Sequence, residues 1–375
     1  MRRDARSGGA SGAPSVTTDG ASCAATRAAC CSVPSGKARR RASSALLFGG
    51  LTAALCVGVV LAVCAGKYPV SPAESLRILL SALTGRASGS PDMTVNVVLG
   101  LRVPRVLASA LVGAALAMSG ATYQGVFANP LISPDFLGVS GGACVGAAIA
   151  ILLALPGGMI QLLAFAFGVG AVLLSLLIPG LMRNRSNLML VLSGIIVGAA
   201  ASSALGFIKY TADPDTQLAA ITYWTMGSFA AVRPAELAAV LPAMLPAAAL
   251  LLMLSWRIDL LSMGSDDARA LGVNVPVLRA VALLCATLLT ASSVCVAGTI
   301  SWVGLVVPHF ARTLAGPGHR RLLPASALLG ALFMLAVDTL TRTVGAAEMP
   351  VSILTGVIGA PLYAALLWRE RRRLT

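Results

Sequence analysis

The chain has 375 residues, 57% of them hydrophobic and only 11% charged, with a mean hydropathy of +0.86. A soluble domain of this length cannot cover so much apolar surface, so the composition indicates a multi-span helical membrane protein. A formal net charge of +14 would suit a nucleic-acid binder, but the basic residues punctuate the hydrophobic runs and are not interleaved with aromatics, as the positive-inside rule describes.

Residues 1–44 are rich in Ala, Ser, Gly and Arg and end in the basic run Lys37–Arg41. They lack periodicity and apolar content, and are expected to form a disordered basic cytoplasmic tail. The apolar run at 45–66 is long for a signal-peptide core, and Val63 is bulky where the box "LAVC" of a cleaved lipoprotein needs a small residue. An uncleaved first span, opening a transmembrane domain over 45–375, is the expectation. Further apolar segments lie at 105–126, 136–155, 161–182, 188–208, 236–256, 277–297, 301–314, 322–341 and 350–368. Each is near the length that crosses ~30 Å of hydrocarbon at 1.5 Å per residue, except 301–314, which is short enough to be tilted or half-inserted. The expected fold is therefore all-α, with about ten transmembrane helices.

With the tail inside, the inner connections and termini hold 20 of the 28 Lys and Arg residues. This places both termini in the cytoplasm of a multi-pass protein of the cytoplasmic membrane, and puts Arg102, Arg105 and Arg342 on the outer face. Glycines recur at helix-packing steps: Gly113, Gly120 and Gly125, then Gly142 with Gly146, and Gly194 with Gly198. The eight cysteines include no C-x-x-C pair and read as small apolar or free-thiol positions. His309 and His319, ten residues apart with no nearby Cys or carboxylate in sequence, make no metal site.

Several polar groups stand out. In "SDDARALG", Ser265 is placed as an N-cap, Asp266 and Asp267 suit the first turn of a short helix, Arg269 and Leu271 follow, and Gly272 stops it. In "FANPLISPDFLGV" two prolines require irregular backbone near the cytoplasmic membrane edge, tolerable only if buried or lining a cavity. Gln124 and Asn129 are thereby pathway candidates. Asp338 is the one charge expected inside the membrane. It lies four residues before Arg342, close enough to pair with it. So little intramembrane charge argues against a proton-coupled secondary transporter that works alone, and no acid–base or nucleophile constellation marks a membrane enzyme.

Four stretches, at 101–143 (beginning "LRVPRVL"), 259–275 ("DLLSMGSDDARALGVNV"), 297–338 (beginning "AGTISWVGLVVPHFAR") and 348–367 ("EMPVSILTGVIGAPLYAALL"), together resemble the FecCD-type permeases. These are membrane subunits of ATP-binding-cassette importers for iron–siderophores, haem and vitamin B12. The resemblance implies a vitamin B12-permease-like fold, a second permease copy as partner, and ATP-binding subunits beneath the pair. It also implies an extracytoplasmic substrate-binding protein whose acidic residues meet Arg102, Arg105 and Arg342. The loop carrying Ser265–Gly272 would engage the ATPase, and Ser186 and Asn187 fall where the family has its inner gate. ATP and magnesium would belong to the partner subunit, because the only Gly-Lys pair, Gly36-Lys37, lacks the surrounding Walker A residues. A ferric siderophore is the expected cargo, with haem and a corrinoid as alternatives.

Overall fold

Backbone in a lipid core must bond within its own segment, and helices achieve this one segment at a time. The computed structural model describes residues 36–85, 89–182, 186–344 and 348–374, and all regular structure among them is helical. The chain divides into a unit Met1–Leu46, whose described residues are helical, and a unit Leu47–Thr375, described from here on. The disorder expected for residues 1–44 thus lies mostly outside the described residues, and from Gly36 onward it is replaced by helix.

The first helix, α1, is Gly36–Cys64. It is followed by α2 (Pro72–Thr84) and α3 (Asp92–Val126). Next come α4 (Val139–Leu152), α5 (Gly157–Leu181), α6 (Asn187–Thr211), α7 (Gln217–Met226) and α8 (Pro234–Met263). Last are α9 (Ser265–Ala270), α10 (Val275–Ala297), α11 (Val303–Ala315), α12 (His319–Thr343) and α13 (Val351–Leu374). Seven are long and apolar enough to cross a membrane, and shorter apolar helices stand at the other three expected positions. Two helices were not expected. One is α2, although its signals are legible: Ser71 accepts from the Glu74 N–H, Pro72 opens the helix, and Gly85 closes it at φ 67°. The other is α7.

Pro104 would normally break α3, since it cannot donate to the carbonyl four residues back. Here the helix widens to π geometry over Asn96–Arg102, the Val103 N–H reaches back to Val98 O, and the helix runs through the proline unbroken.

Lipid tails give no hydrophobic drive between helices, so close backbone approach and interhelical hydroxyl bonds hold them together. α10 is the most deeply enclosed long helix, and α12 packs extensively on α3. Between α3 and α10, Ser119 Oγ bonds Ala286 O (2.8 Å) and Thr290 Oγ1 (2.7 Å), while Tyr123 Oη meets Thr287 Oγ1 at 3.0 Å.

Glycine contacts fix the depth of the two shortest apolar helices. A Cβ on Gly194 would fall 2.0 Å from Phe136 O, and one on Gly120 would fall 1.8 Å from Gly304 O. Gly194 lies seven residues into the 25-residue α6, ~10 Å along an axis of ~37 Å. Gly138 abuts Gly198 another turn further on, and α4 begins directly after it. Thus α4, preceded by the 3₁₀ turn Pro134–Leu137, starts near the middle of its neighbours, and α11 starts beside the interior of α3. The expected span 136–155 is in fact a half-length helix fed by a loop that penetrates to mid-depth. The segment 301–314 forms the 13-residue helix α11, shorter than a full span.

Candidate functional site

α1 ends in "LAVCAG" with no basic residue in its last turn, leaving carbonyls that need donors where water is scarce. Distant arginines supply them. Arg102 Nη1 donates to Val63 O (3.1 Å) and Cys64 O (3.2 Å), and its Nη2 donates to Tyr68 O (2.6 Å). Arg342 Nη1 donates to Ala65 O (3.0 Å) and its Nη2 to Ala62 O. The cations also complement the negative end of the α1 dipole. Arg105 bonds Asp338 Oδ1 through Nε (2.9 Å) and both Glu348 oxygens through Nη1 (3.0 and 2.9 Å). Asp338 Oδ2 lies 3.5 Å from Arg342 Nε, so the expected pairing four residues apart is present.

Arg102 and Arg342 are 6% and 5% exposed, and Asp338 is 1% exposed. Arg102, Arg105 and Arg342, which the resemblance sets against a delivery protein's acids, are thus each engaged within the chain. Their donors are turned into the chain, where orphaned carbonyls and a buried acid hold them.

At the opposite end of α12 lies a second cluster. His319 N and Nδ1 both lie 2.6 Å from Asp259 Oδ1, so α8 caps the first turn of α12. Gln124 is buried and joins α3 to α11: its Nε2 donates to Leu305 O (3.3 Å) and its Oε1 accepts from Arg312 Nη2 (3.0 Å). That makes Gln124, a pathway candidate from the sequence, an interhelical brace as well. Asn129 is exposed and closes a turn by accepting from the Leu131 N–H (2.9 Å). Ser186 caps α6 through the Met189 N–H, and Asn187 Nδ2 reaches Phe127 O at 3.5 Å.

The short helix expected in the long polar loop forms as α9. It begins at Ser265 itself, so the N-cap position falls to Gly264 (φ 138°) and not to the serine. Asp266 and Arg269 pair at 3.0 Å in solvent, Asp267 lies in the first turn, and Gly272 (φ 78°) follows Leu271. Ala268 is fully buried and anchors the helix, while Met263 (69%) and Leu271 (63%) project on either side of it. Arg269 also lines a cavity of about 670 Å³ with Ser186, Asn187 and Arg279. The structure therefore brings together two residue groups that the sequence placed separately, at a presumed gate and at a presumed coupling loop.

The feature missed in the sequence is Asp135. It stands in the 3₁₀ turn before α4, accepts from Ser140 Oγ, and is exposed on a cavity of about 240 Å³ at the depth where α4 and α11 begin. Ser140 and Cys144 from α4, Ser202 from α6, and Thr299 and Ser301 before α11 line the same cavity. Asp338 is thus not the only intramembrane acid. The sequence places Asp135 in a membrane-edge loop, and only the penetration of that loop carries it inward. A carboxylate against lipid at the bilayer centre costs ~2.5–3.5 kcal/mol on insertion scales, so this face is one turned away from hydrocarbon. Backbone strain lies next to it. Trp302 holds φ 74°, a conformation costing ~1–3 kcal/mol for a bulky side chain, and packs against Gly359 and Tyr363 of α13.

The FecCD transport family model matches residues 54–369. The chain is 37% identical over 327 residues to the molybdate import system permease protein MolB of Haemophilus influenzae, covering 87% of this chain and 96% of that one. It is 39% identical over 289 residues to the hemin transport system permease protein HmuU of Yersinia pestis, covering 75% and 86%. A solved structure of an ABC transporter assigned to the metal-chelate type, in an inward-facing conformation, superposes with a TM-score of 0.77 at 35% identity, covering 86% of this chain and 98% of that one. With the family model spanning nearly all of the ten apolar helices, the chain belongs to the FecCD transport family, as a multi-pass permease of the ABC importer class whose ATPase is a separate subunit.

Proposed function

We propose that this permease moves chelated metal, foremost ferric siderophores, inward across the cytoplasmic membrane, with both termini in the cytoplasm. The observation that carries the reading is the pairing of a solvent-exposed helix, α9, with a polar cavity at mid-depth in a chain that otherwise offers lipid an apolar surface. Relatives named for iron chelatin and hemin transport, both 39% identical, support a metal chelate as cargo, and a relative named for cobalamin import keeps a corrinoid as the alternative. ATP and magnesium are bound by the partner subunit, a second permease copy completes the path, and an extracytoplasmic protein delivers the cargo. Met263 and Leu271, apolar and exposed on either side of α9, suit insertion into a groove of the ATPase. Ser186 and Asn187, sharing a cavity with Arg269, suit an inner gate that senses that contact. The arginine cluster holds the outer end in shape beneath the delivery protein.

The test is ATPase activity of the complete transporter in proteoliposomes, with ferric siderophores, haem and cobalamin offered through the delivery protein. One of these should stimulate hydrolysis and accumulate inside. Deleting 264–272 should abolish both effects and leave the permease inserted, because α9 is a six-residue helix outside the apolar spans. Uptake that persists without ATP, or in the deletion variant, overturns the reading.

A further inference from the structure

The cavity at Asp135 is lined by a carboxylate and the hydroxyl-bearing residues Ser140, Ser202, Thr299 and Ser301, and no basic residue lines it among the described residues. Lys209, about two turns beyond Ser202 on α6, is the cation that follows on that helix, and its charge reaches Cys144 of the same cavity with the sign opposite to that of Asp135. Ser202 and Ser301 are exposed with Asp135, so α6, the penetrating loop and the strained approach to α11 present one polar face at mid-depth. Such a face needs water or a polar ligand against it.

We propose that this face is a stretch of the cargo path, and that Asp135 gives it a field that favours cations and opposes anions. The chelates passed there then carry no net negative charge on the side that meets Asp135. This inference rests on the importer reading above and sharpens its substrate class. An oxyanion such as molybdate, the cargo in the name of the Haemophilus relative, has the wrong sign for this cavity, whereas neutral or cationic chelates have a permitted one.

Small charged probes test the field without knowledge of the cargo. Ser202→Cys is introduced into the full transporter in native membranes and treated with a trimethylammonium-ethyl or a sulfonato-ethyl methanethiosulfonate. Peptide mass mapping reads position 202 by itself, so the eight native cysteines stay in place. Both reagents should modify the thiol. Adding Asp135→Asn should lower the cationic-to-anionic rate ratio by about tenfold, the order expected for unit charges ~8 Å apart in a partly wet site. Asp135→Glu should preserve the ratio, and 1 M salt should compress it. No modification by either reagent, or the same ratio with Asp135→Asn, overturns the proposal. If the ratio is unchanged while chelate-stimulated ATPase activity of the unmutated transporter is intact, this inference fails alone. If stimulation is absent in the unmutated transporter, the importer reading is what fails.

Discussion

Arg102→Ala removes three hydrogen bonds, to Val63 O, Cys64 O and Tyr68 O, at a site where the guanidinium is 6% exposed. Charge-assisted bonds contribute ~1.5–3 kcal/mol each and do not add fully, because Arg342 still serves Ala62 and Ala65. A loss of ~3–5 kcal/mol is the working figure, comparable to breaking a buried ion pair. At ~2 °C per kcal/mol for a chain of this size, the unfolding midpoint in detergent should fall by ~5–10 °C. Cys64, one residue beyond the carbonyl of Val63, gives a local readout: its thiol should react faster with maleimide as the end of α1 frays. Arg102→Lys should recover part of the loss, since one ammonium keeps the charge but cannot span three carbonyls. Gly66 supplies an independent check, because a Cβ there would lie 2.7 Å from Arg102 Nη2 and push the fork off its acceptors. Gly66→Ala should therefore destabilise the parent chain and add little to Arg102→Ala. All of this is measured on the permease with no delivery protein present. An Arg102→Ala variant that melts with the parent and leaves Cys64 unreactive would refute the capping role and return the arginine to the docking surface.

Gly120→Ala should lower the same midpoint by ~3 kcal/mol equivalents or more, since its Cβ would meet Gly304 backbone that cannot yield, whereas Gly198→Ala, with nothing within 4 Å, should be near neutral. Orientation is checked with single cysteines at 213 and 318: a thiol at Asp213 should react with an impermeant reagent in intact cells, one at Gly318 only after the membrane is opened, and the reverse pattern would invert the topology.

Much of this protein is fixed by composition and local chemistry. A run of about twenty apolar residues has few alternatives to a helix in lipid, so ten segments could be read directly, along with the α9 helix from its acids and flanking glycines. Motif resemblance added the family, because long stretches in a fixed order leave little room for coincidence. What the sequence could not decide was which polar group meets which. Arg102 and Arg342 look like surface cations beside apolar runs, yet the carbonyls they bond lie about 40 and 280 residues away, and nothing local announces that α1 ends without donors. The partners of Gln124, Leu305 and Arg312, are likewise distant in sequence. Asp135 looked like a membrane-edge residue because depth is not written in the spacing of prolines. It depends on Gly194 letting the loop slide inward along α6. Periodicity is local and survives in one dimension, whereas the partner of a buried charge and the depth of a loop are properties of the packed helices.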